Sequence, residues 1–99
     1  MRLEVHSEAR QEFLEAVTFY DGHVPGLGLR FISEIDRCHT ALLQSPLVGR
    51  SFGRRLRKWP ISDKFPYMII YAVLGEVLLI VAYAHGSRRP GYWRSRIVR

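Results

Sequence analysis

The hydrophobic pattern of the first half of the chain predicts one short strand and then a helix. Residues 2–6 alternate, with Leu3 and Val5 on one face, as expected for a strand. A helix is predicted to follow, with Ser7 as its N-cap and a single apolar stripe. The stripe consists of Ala9, Phe13, Ala16, Val17 and Tyr20. The acidic positions of this helix are predicted to face water: Glu8, Glu12 and Glu15.

A second helix is predicted after a turn at residues 21–26, which are rich in Gly and Pro. It begins near Leu27 or Gly28 and continues to about Gln44. It ends at Ser45-Pro46, because the residue before proline is disfavoured in helical geometry. Its inner side is predicted to hold Phe31, Ile32, Ile35, His39, Leu42 and Leu43. The two helices should form an antiparallel hairpin.

The second half of the chain reads as three strands. Leu56 alternates with basic neighbours within residues 47–58, which suits one strand with a wet face. Residues 65–73 and 77–84 are apolar and rich in β-branched and aromatic side chains, and Gly75-Glu76 separates them. We therefore predict a β-hairpin with a two-residue turn rather than a membrane-spanning helix. Both faces of its strands are apolar, so they should be central.

These elements predict a single α+β domain over residues 1–99. Its order is β-α-α-β-β-β, with a helical hairpin on a small, mainly antiparallel, four-stranded sheet and a short C-terminal tail. Trp93 is expected to cover the sheet face that the helices leave open, and the neighbouring Tyr92 is expected to point outward.

Charge is distributed unevenly along these 99 residues, whose net charge is +6. Residues 1–48 contain four Arg or Lys and seven Asp or Glu, whereas residues 49–99 contain eleven and two. The basic half favours a polyanionic partner, such as nucleic acid or an acidic protein surface, although it could also be only a solvated surface. A single cysteine, Cys38, cannot form an internal disulfide, so a reducing cytoplasm is the expected location, without a membrane anchor.

The C-terminal end carries the candidate chemistry. The apolar segment 77–84 stops at His85, and a basic pair, Arg88-Arg89, and a Pro-Gly turn follow. Histidine is the side chain whose charge changes nearest neutral pH, so His85 is the candidate for proton transfer. The alternative is that His85 only hydrogen-bonds a loop. No group of residues has metal-ligand spacing, so neither a metal nor a cofactor is expected.

The order of motifs resembles the RelE/ParE superfamily of toxins from bacterial type II toxin-antitoxin modules. The resemblance rests on Tyr20-Asp21, Pro25-Gly26-Leu27-Gly28-Leu29-Arg30-Phe31, Ser45-Pro46, Phe65-Pro66-Tyr67 and the segment from His85 to Trp93. It covers nearly the whole chain. It implies a small toxin that is held inactive by a cognate antitoxin, and that either cuts messenger RNA on the ribosome or inhibits DNA gyrase.

Cutting RNA requires proton transfer and a cation beside the phosphate. The catalytic candidates for that activity are His85, Arg57, Arg89 and Tyr92. For either activity the candidate target-binding residues are Arg54, Arg55, Arg57, Lys58, His85, Arg88, Arg89, Tyr92 and Arg96.

Two departures from the nuclease pattern decide the preference. Tyr67 is followed by Met68 rather than arginine, and Arg55-Leu56-Arg57 replaces a lysine pair. The resemblance is thus closer to ParE-like members and favours gyrase inhibition. A ribosome-dependent endonuclease is the alternative, and a non-toxic nucleic-acid-binding relative is a further one.

Overall fold

The computed structural model describes residues 1–53 and 55–97 and confirms the predicted α+β class. No helix in these two ranges is long and apolar enough to cross a membrane. In chain order the elements are β1 (Arg2–Val5), α1 (Ser7–His23), α2 (Leu27–Gln44), β2 (Arg50–Phe52), β3 (Leu56–Pro60), β4 (Tyr67–Leu74), β5 (Val77–His85) and a 3-10 helix (Arg94–Ile97).

The strands form one sheet in the order β1-β5-β4-β3-β2. Neighbours are antiparallel except for β1, which lies parallel to β5. The sheet is therefore mainly antiparallel, but the prediction of four strands was wrong. Residues 50–58 form two strands because the chain reverses between them: Phe52 pairs with Leu56, and Gly53 and Arg55 have φ values of 59° and 61°. Positive φ at these positions turns the chain back on itself.

The β4–β5 hairpin has the predicted turn. Leu74 pairs with Val77, and Gly75 between them has a φ of 60°, which glycine adopts readily. Further along, Tyr71 pairs with Ile80 whereas Ile70 pairs with Ala82, so Val81 is an extra residue. This β-bulge changes which backbone groups of β5 face the β1 side of the strand.

The helical hairpin covers one face of the sheet, which we call the helix face. Phe31 of α2 is fully buried there, and its ring contacts those of Phe13, Tyr20 and Phe65. His39 contributes a polar contact, since its Nε2 lies 2.8 Å from the Tyr83 hydroxyl oxygen. Burial lowers the pKa of His39, against the opposing influence of Asp36.

Details of both helices differ from the prediction. The N-cap of α1 is His6 rather than Ser7, because β1 ends at Val5 and the His6 Nδ1 accepts a hydrogen bond from the Glu8 backbone N–H. In α2 the predicted inner residues Phe31, Ile35 and Leu42 are buried, but Leu43 is 38% exposed.

The opposite face of the sheet is covered by the C-terminal end of the chain, and we call it the tail face. Trp93 is 8% exposed and packs in a cluster with Leu56, Ile70 and Ala84. Its ring meets the Phe52 ring edge to face at a centroid distance of 6.3 Å. The predicted structural role of Trp93 is therefore confirmed.

Candidate target-binding surface

His85 ends β5 beside the start of β4, where its ring lies edge to face with the Tyr67 ring at 5.0 Å. The Ser87 backbone N–H donates to the His85 Nδ1 at 2.9 Å, and the Ser87 hydroxyl lies 2.8 Å from the same atom. An amide N–H can only donate, so Nδ1 is the acceptor. The neutral ring therefore carries its proton on Nε2.

The turn after His85 positions Arg88. The Gly86 N–H donates to the Pro66 carbonyl at 2.8 Å, and the Arg88 N–H donates to the His85 carbonyl at 3.0 Å. The Arg88 guanidinium then stacks 3.9 Å above the Tyr92 ring, a cation–π contact. Arg89 is exposed in the same turn. His85, Arg88 and Arg89 thus lie together, as the sequence suggested.

Two grooves meet at His85 and Arg88. The groove on the helix face has a volume of about 380 Å³. Its lining includes Glu12, Ala16 and Phe19 of α1, together with Tyr83 of β5. The groove on the tail face has a volume of about 410 Å³. It has an apolar floor and a basic rim that is formed by Lys58, Arg88 and Arg94.

Arg57 is positioned away from this group. It pairs with Tyr71, whereas His85 pairs with Tyr67, four residues earlier on β4. Its Nη1 donates to the carbonyls of Leu47 and Gly49, at 3.1 and 2.8 Å. These hydrogen bonds stabilise the segment that follows α2, so Arg57 has a structural role. Its guanidinium is directed at those carbonyls and not at His85.

Arg96 also lies apart from the exposed basic residues, because it is enclosed by α1. Its side chain is 6% exposed, and its Nη1 and Nη2 contact both carboxylate oxygens of Glu12, the shorter at 2.8 Å. Nη1 also donates to the Val81 carbonyl at 2.9 Å. The expectation that Arg96 meets the target does not fit this placement. The expectation that Glu12 faces water was wrong, since its side chain is 10% exposed.

Tyr92 is less exposed than predicted. Its ring centre lies 3.9 Å from the Arg88 guanidinium and 5.1 Å from that of Arg96. Its buried hydroxyl lies near the Glu12 carboxylate but makes no contact of hydrogen-bond geometry with any described residue. Burial raises the pKa of Tyr92, and the nearby Glu12 carboxylate adds to the increase. The ring face supports Arg88, but the hydroxyl does not face solvent as that of an outward-pointing side chain would.

Two other predicted basic residues, Lys58 and Arg55, belong to β3 and to the β2–β3 turn rather than to the C-terminal end. Lys58 lies on the tail face with its Nζ 5.2 Å from the centre of the Phe52 ring. Arg55 is exposed in the β2–β3 turn, and Arg54 lies outside the described residues. In the described ranges, no three His, Cys, Asp or Glu side chains come together in a way that could hold a metal ion.

Two residues at the surface were missed by sequence reasoning. Arg94 lines the tail-face groove, and Ser87 sets the His85 tautomer. Arg94 could have been included because it belongs to the same basic tail. The hydrogen bonds of Ser87 depend on the turn geometry, for which the sequence carried no separate signal.

Comparison with known protein families gives a match over most of the chain. A family model described as ParE toxin of type II toxin-antitoxin system, parDE, matches residues 3–90. The chain belongs to the ParE toxin family. The matched range includes both helices, β2 to β5, all of β1 except its first residue, and the turn with His85 and Arg88. The predicted membership of the RelE/ParE superfamily, and the closer similarity to ParE-like members, are thereby confirmed.

Solved structures show the same fold. The chromosomal ParDE TA system from P. aeruginosa contains a chain that superposes on this ParE-family chain with a TM-score of 0.73. The two are 18% identical, and the match covers 86% of this chain and 95% of that chain. No curated protein gave a significant match.

Proposed function

We propose that this ParE-family chain arrests bacterial growth by binding DNA gyrase, and that a cognate antitoxin holds it inactive. The proposed contact is the C-terminal basic surface, formed by Lys58, His85, Arg88, Arg89 and Arg94. Its guanidiniums are suited to an acidic protein surface, since they remain charged at all physiological pH values.

The hydrogen bond from the Ser87 N–H to the His85 Nδ1 carries the preference for binding over RNA cleavage. With Nδ1 engaged, neutral His85 offers an N–H donor at Nε2 and no free lone pair. A general base for a ribose 2′-hydroxyl needs that lone pair. In this arrangement His85 is a hydrogen-bond donor to a target.

The positions of Arg57 and Met68 support the same preference. Arg57 was a candidate for stabilising charge on a phosphate, but it donates to the carbonyls of Leu47 and Gly49. Met68, where nuclease-like members of the superfamily commonly have arginine, lines the tail-face groove as an apolar side chain. Fewer cations therefore accompany His85 than cleavage would use.

The decisive experiment measures DNA supercoiling by purified gyrase with increasing amounts of the chain. We expect inhibition, and we expect Arg88→Glu to raise the half-inhibitory concentration by about tenfold or more. Arg30→Glu is the matched control, because Arg30 is an exposed arginine on α2 that lines neither of the two grooves. Equal effects of the two variants, or no inhibition by the unchanged chain, would count against the proposal.

A ribosome-dependent endonuclease is the second candidate. The observation in its favour is the tail-face groove, whose rim of Lys58, Arg88 and Arg94 could also follow a phosphate backbone. Messenger RNA cuts that require ribosomes and disappear with His85→Ala would replace the gyrase proposal. Normal growth after strong induction of the chain alone would instead favour a non-toxic nucleic-acid-binding relative.

A further inference from the structure

The edge of β5 is incompletely paired beyond the end of β1. Strand β1 pairs with β5 as far as Val5 and Ile80, and the His6 N–H makes the last bond, to the Ile80 carbonyl. The chain then leaves the sheet to form α1, whereas β5 continues to His85. Among the described residues, no strand therefore lies beside the segment 81–85 on that side.

Side chains satisfy the first part of this open edge. The Val81 carbonyl accepts from Arg96 at 2.9 Å, and the Tyr83 N–H donates to Glu12 Oε1 at 3.0 Å. The Tyr83 N–H points away from β4, toward Glu12. The N–H and the carbonyl of one strand residue point to the same side, and that side alternates from each residue to the next. The Tyr83 carbonyl and the His85 N–H therefore also point away from β4, to the open side.

Those two groups have no hydrogen-bond partner among residues 1–53 and 55–97. Tyr83 as a whole is buried, and it lines the helix-face groove together with His85. Buried backbone groups are nearly always paired in folded proteins, so an unpaired carbonyl and N–H beside a groove favour an incoming partner.

The spacing of the two groups specifies the geometry of that partner. In a parallel pair, one residue donates its N–H to residue i−1 of the neighbouring strand and accepts from the N–H of residue i+1. Tyr83 and His85 are the i−1 and i+1 positions around Ala84. One residue opposite Ala84, on a strand parallel to β5, would bond both groups.

We propose that an extended segment of the antitoxin adds to this edge as a short strand parallel to β5, in line with β1. This inference rests on the proposed function, because it names the site at which the antitoxin acts. An antitoxin strand there would cover His85 and lie beside Arg88, which explains how binding blocks the C-terminal basic surface.

The groove also predicts the chemistry of the segment. Residues on either side of the one opposite Ala84 would face the helix face, where Ala16 and the 56% exposed Phe19 offer apolar contacts. The residue opposite Ala84 would face the tail side, near the exposed guanidinium of Arg88. An apolar–acidic–apolar sequence fits these positions.

Amide hydrogen exchange by NMR tests the strand directly, in this chain with and without the product of the adjacent reading frame. The His85 amide should exchange at least about 100-fold more slowly in the complex. The Ala84 amide, which faces β4, should be slow in both samples. An NOE between the His85 amide proton and a partner α-proton should appear, as expected for adjacent strands.

A matched pair of variants on α1 tests the groove. Phe19 borders the groove, whereas Leu14, which is 48% exposed, does not. Phe19→Glu should weaken the complex by about tenfold or more, and Leu14→Glu by less than about threefold. Circular dichroism of both variants controls for folding.

The outcomes separate the two proposals. A stable complex with an unprotected His85 amide, or with equal losses from the two variants, overturns the strand proposal and leaves the toxin function intact. The absence of any complex overturns the strand proposal together with the antitoxin part of the proposed function. Protection of the His85 amide in the concentrated chain alone would make a second copy the occupant and would also overturn it.

Discussion

The two faces of the sheet are buried in different ways. The helix face is covered by two helices of 17 and 18 residues, and it contains the aromatic cluster around Phe31. The tail face is covered by one turn and a four-residue 3-10 helix that place Trp93 and Tyr92 on the strands. The helix face is a conventional core, whereas the tail face depends on a few contacts made by the C-terminal end.

The ion pair between Glu12 and Arg96 connects the helices on the helix face to the C-terminal segment on the tail face. Glu12 belongs to α1 and Arg96 to the 3-10 helix, and the pair lies against the open edge of β5 through the Tyr83 N–H and the Val81 carbonyl. The C-terminal segment, which carries most of the residues proposed to bind the target, is thus held in place by an ion pair with α1.

The largest expected effect is on the helix face. Phe31→Ala should lower the free energy of unfolding by about 3–5 kcal/mol, because it removes a fully buried ring from four aromatic neighbours. Urea denaturation followed by circular dichroism measures this. Phe19→Ala, at an exposed position, should change it by less than about 0.5 kcal/mol. Similar losses for the two would mean that the helix face is not the main core.

Removing the charge of Glu12 tests the link between the faces. Glu12→Gln should lower the free energy of unfolding by about 2 kcal/mol, because Arg96 would lose its buried ionic partner. Glu15→Gln, an exposed position on the same helix, should cost less than about 0.5 kcal/mol. Thermal denaturation of both variants decides this, and equal midpoints would show that the pair contributes little.

Tyr92→Phe tests the packing of the C-terminal segment on the tail face, and its expected effect on the free energy of unfolding is smaller. The buried hydroxyl has no partner among the described residues, so its removal should leave stability unchanged or raise it by up to about 1 kcal/mol. The ring and its contact with Arg88 would remain. Urea denaturation provides the measurement, and a loss above about 1 kcal/mol would indicate that the hydroxyl is bonded in solution.

The smallest expected effect is a pH dependence on the helix face. Burial lowers the pKa of His39 in the fold, so the unfolded chain binds more protons than the folded chain below about pH 6.5. Stability should therefore fall as the pH drops below that value, and the fall should end below the folded pKa. Denaturant titrations from pH 8 to 5 measure it, with His39→Gln as the comparison. An unchanged slope in that variant would assign the effect elsewhere.

Periodicity was sufficient for the helices and the central hairpin, because their apolar residues are adjacent in sequence or recur at one period. The stripe around Phe13 and the turn at Gly75-Glu76 are examples. The same reasoning was wrong for residues 47–58, where a single strand was predicted and the chain instead forms β2 and the start of β3. There the turn depends on a positive φ at Arg55, and arginine is not a residue type that indicates positive φ.

The candidate site divides in the same way. His85, Arg88 and Arg89 are close in sequence, so their proximity could be predicted. Arg57 and Arg96 carry the same charge, but their roles depend on partners that are distant along the chain: the loop carbonyls for Arg57 and Glu12 for Arg96. The sequence cannot distinguish an arginine that pairs within the fold from one that stays exposed when the pairing partners are unknown.

By itself, therefore, the sequence determined the order of the elements, the two apolar faces of the central strands and the basic C-terminal end. Only the tertiary structure decided which cations remain exposed, which nitrogen of His85 carries the proton, and that the edge of β5 stays open at Tyr83 and His85. The physical reason is that periodicity is a local property, whereas hydrogen-bond pairing and ion pairing depend on groups that folding brings together from far along the chain.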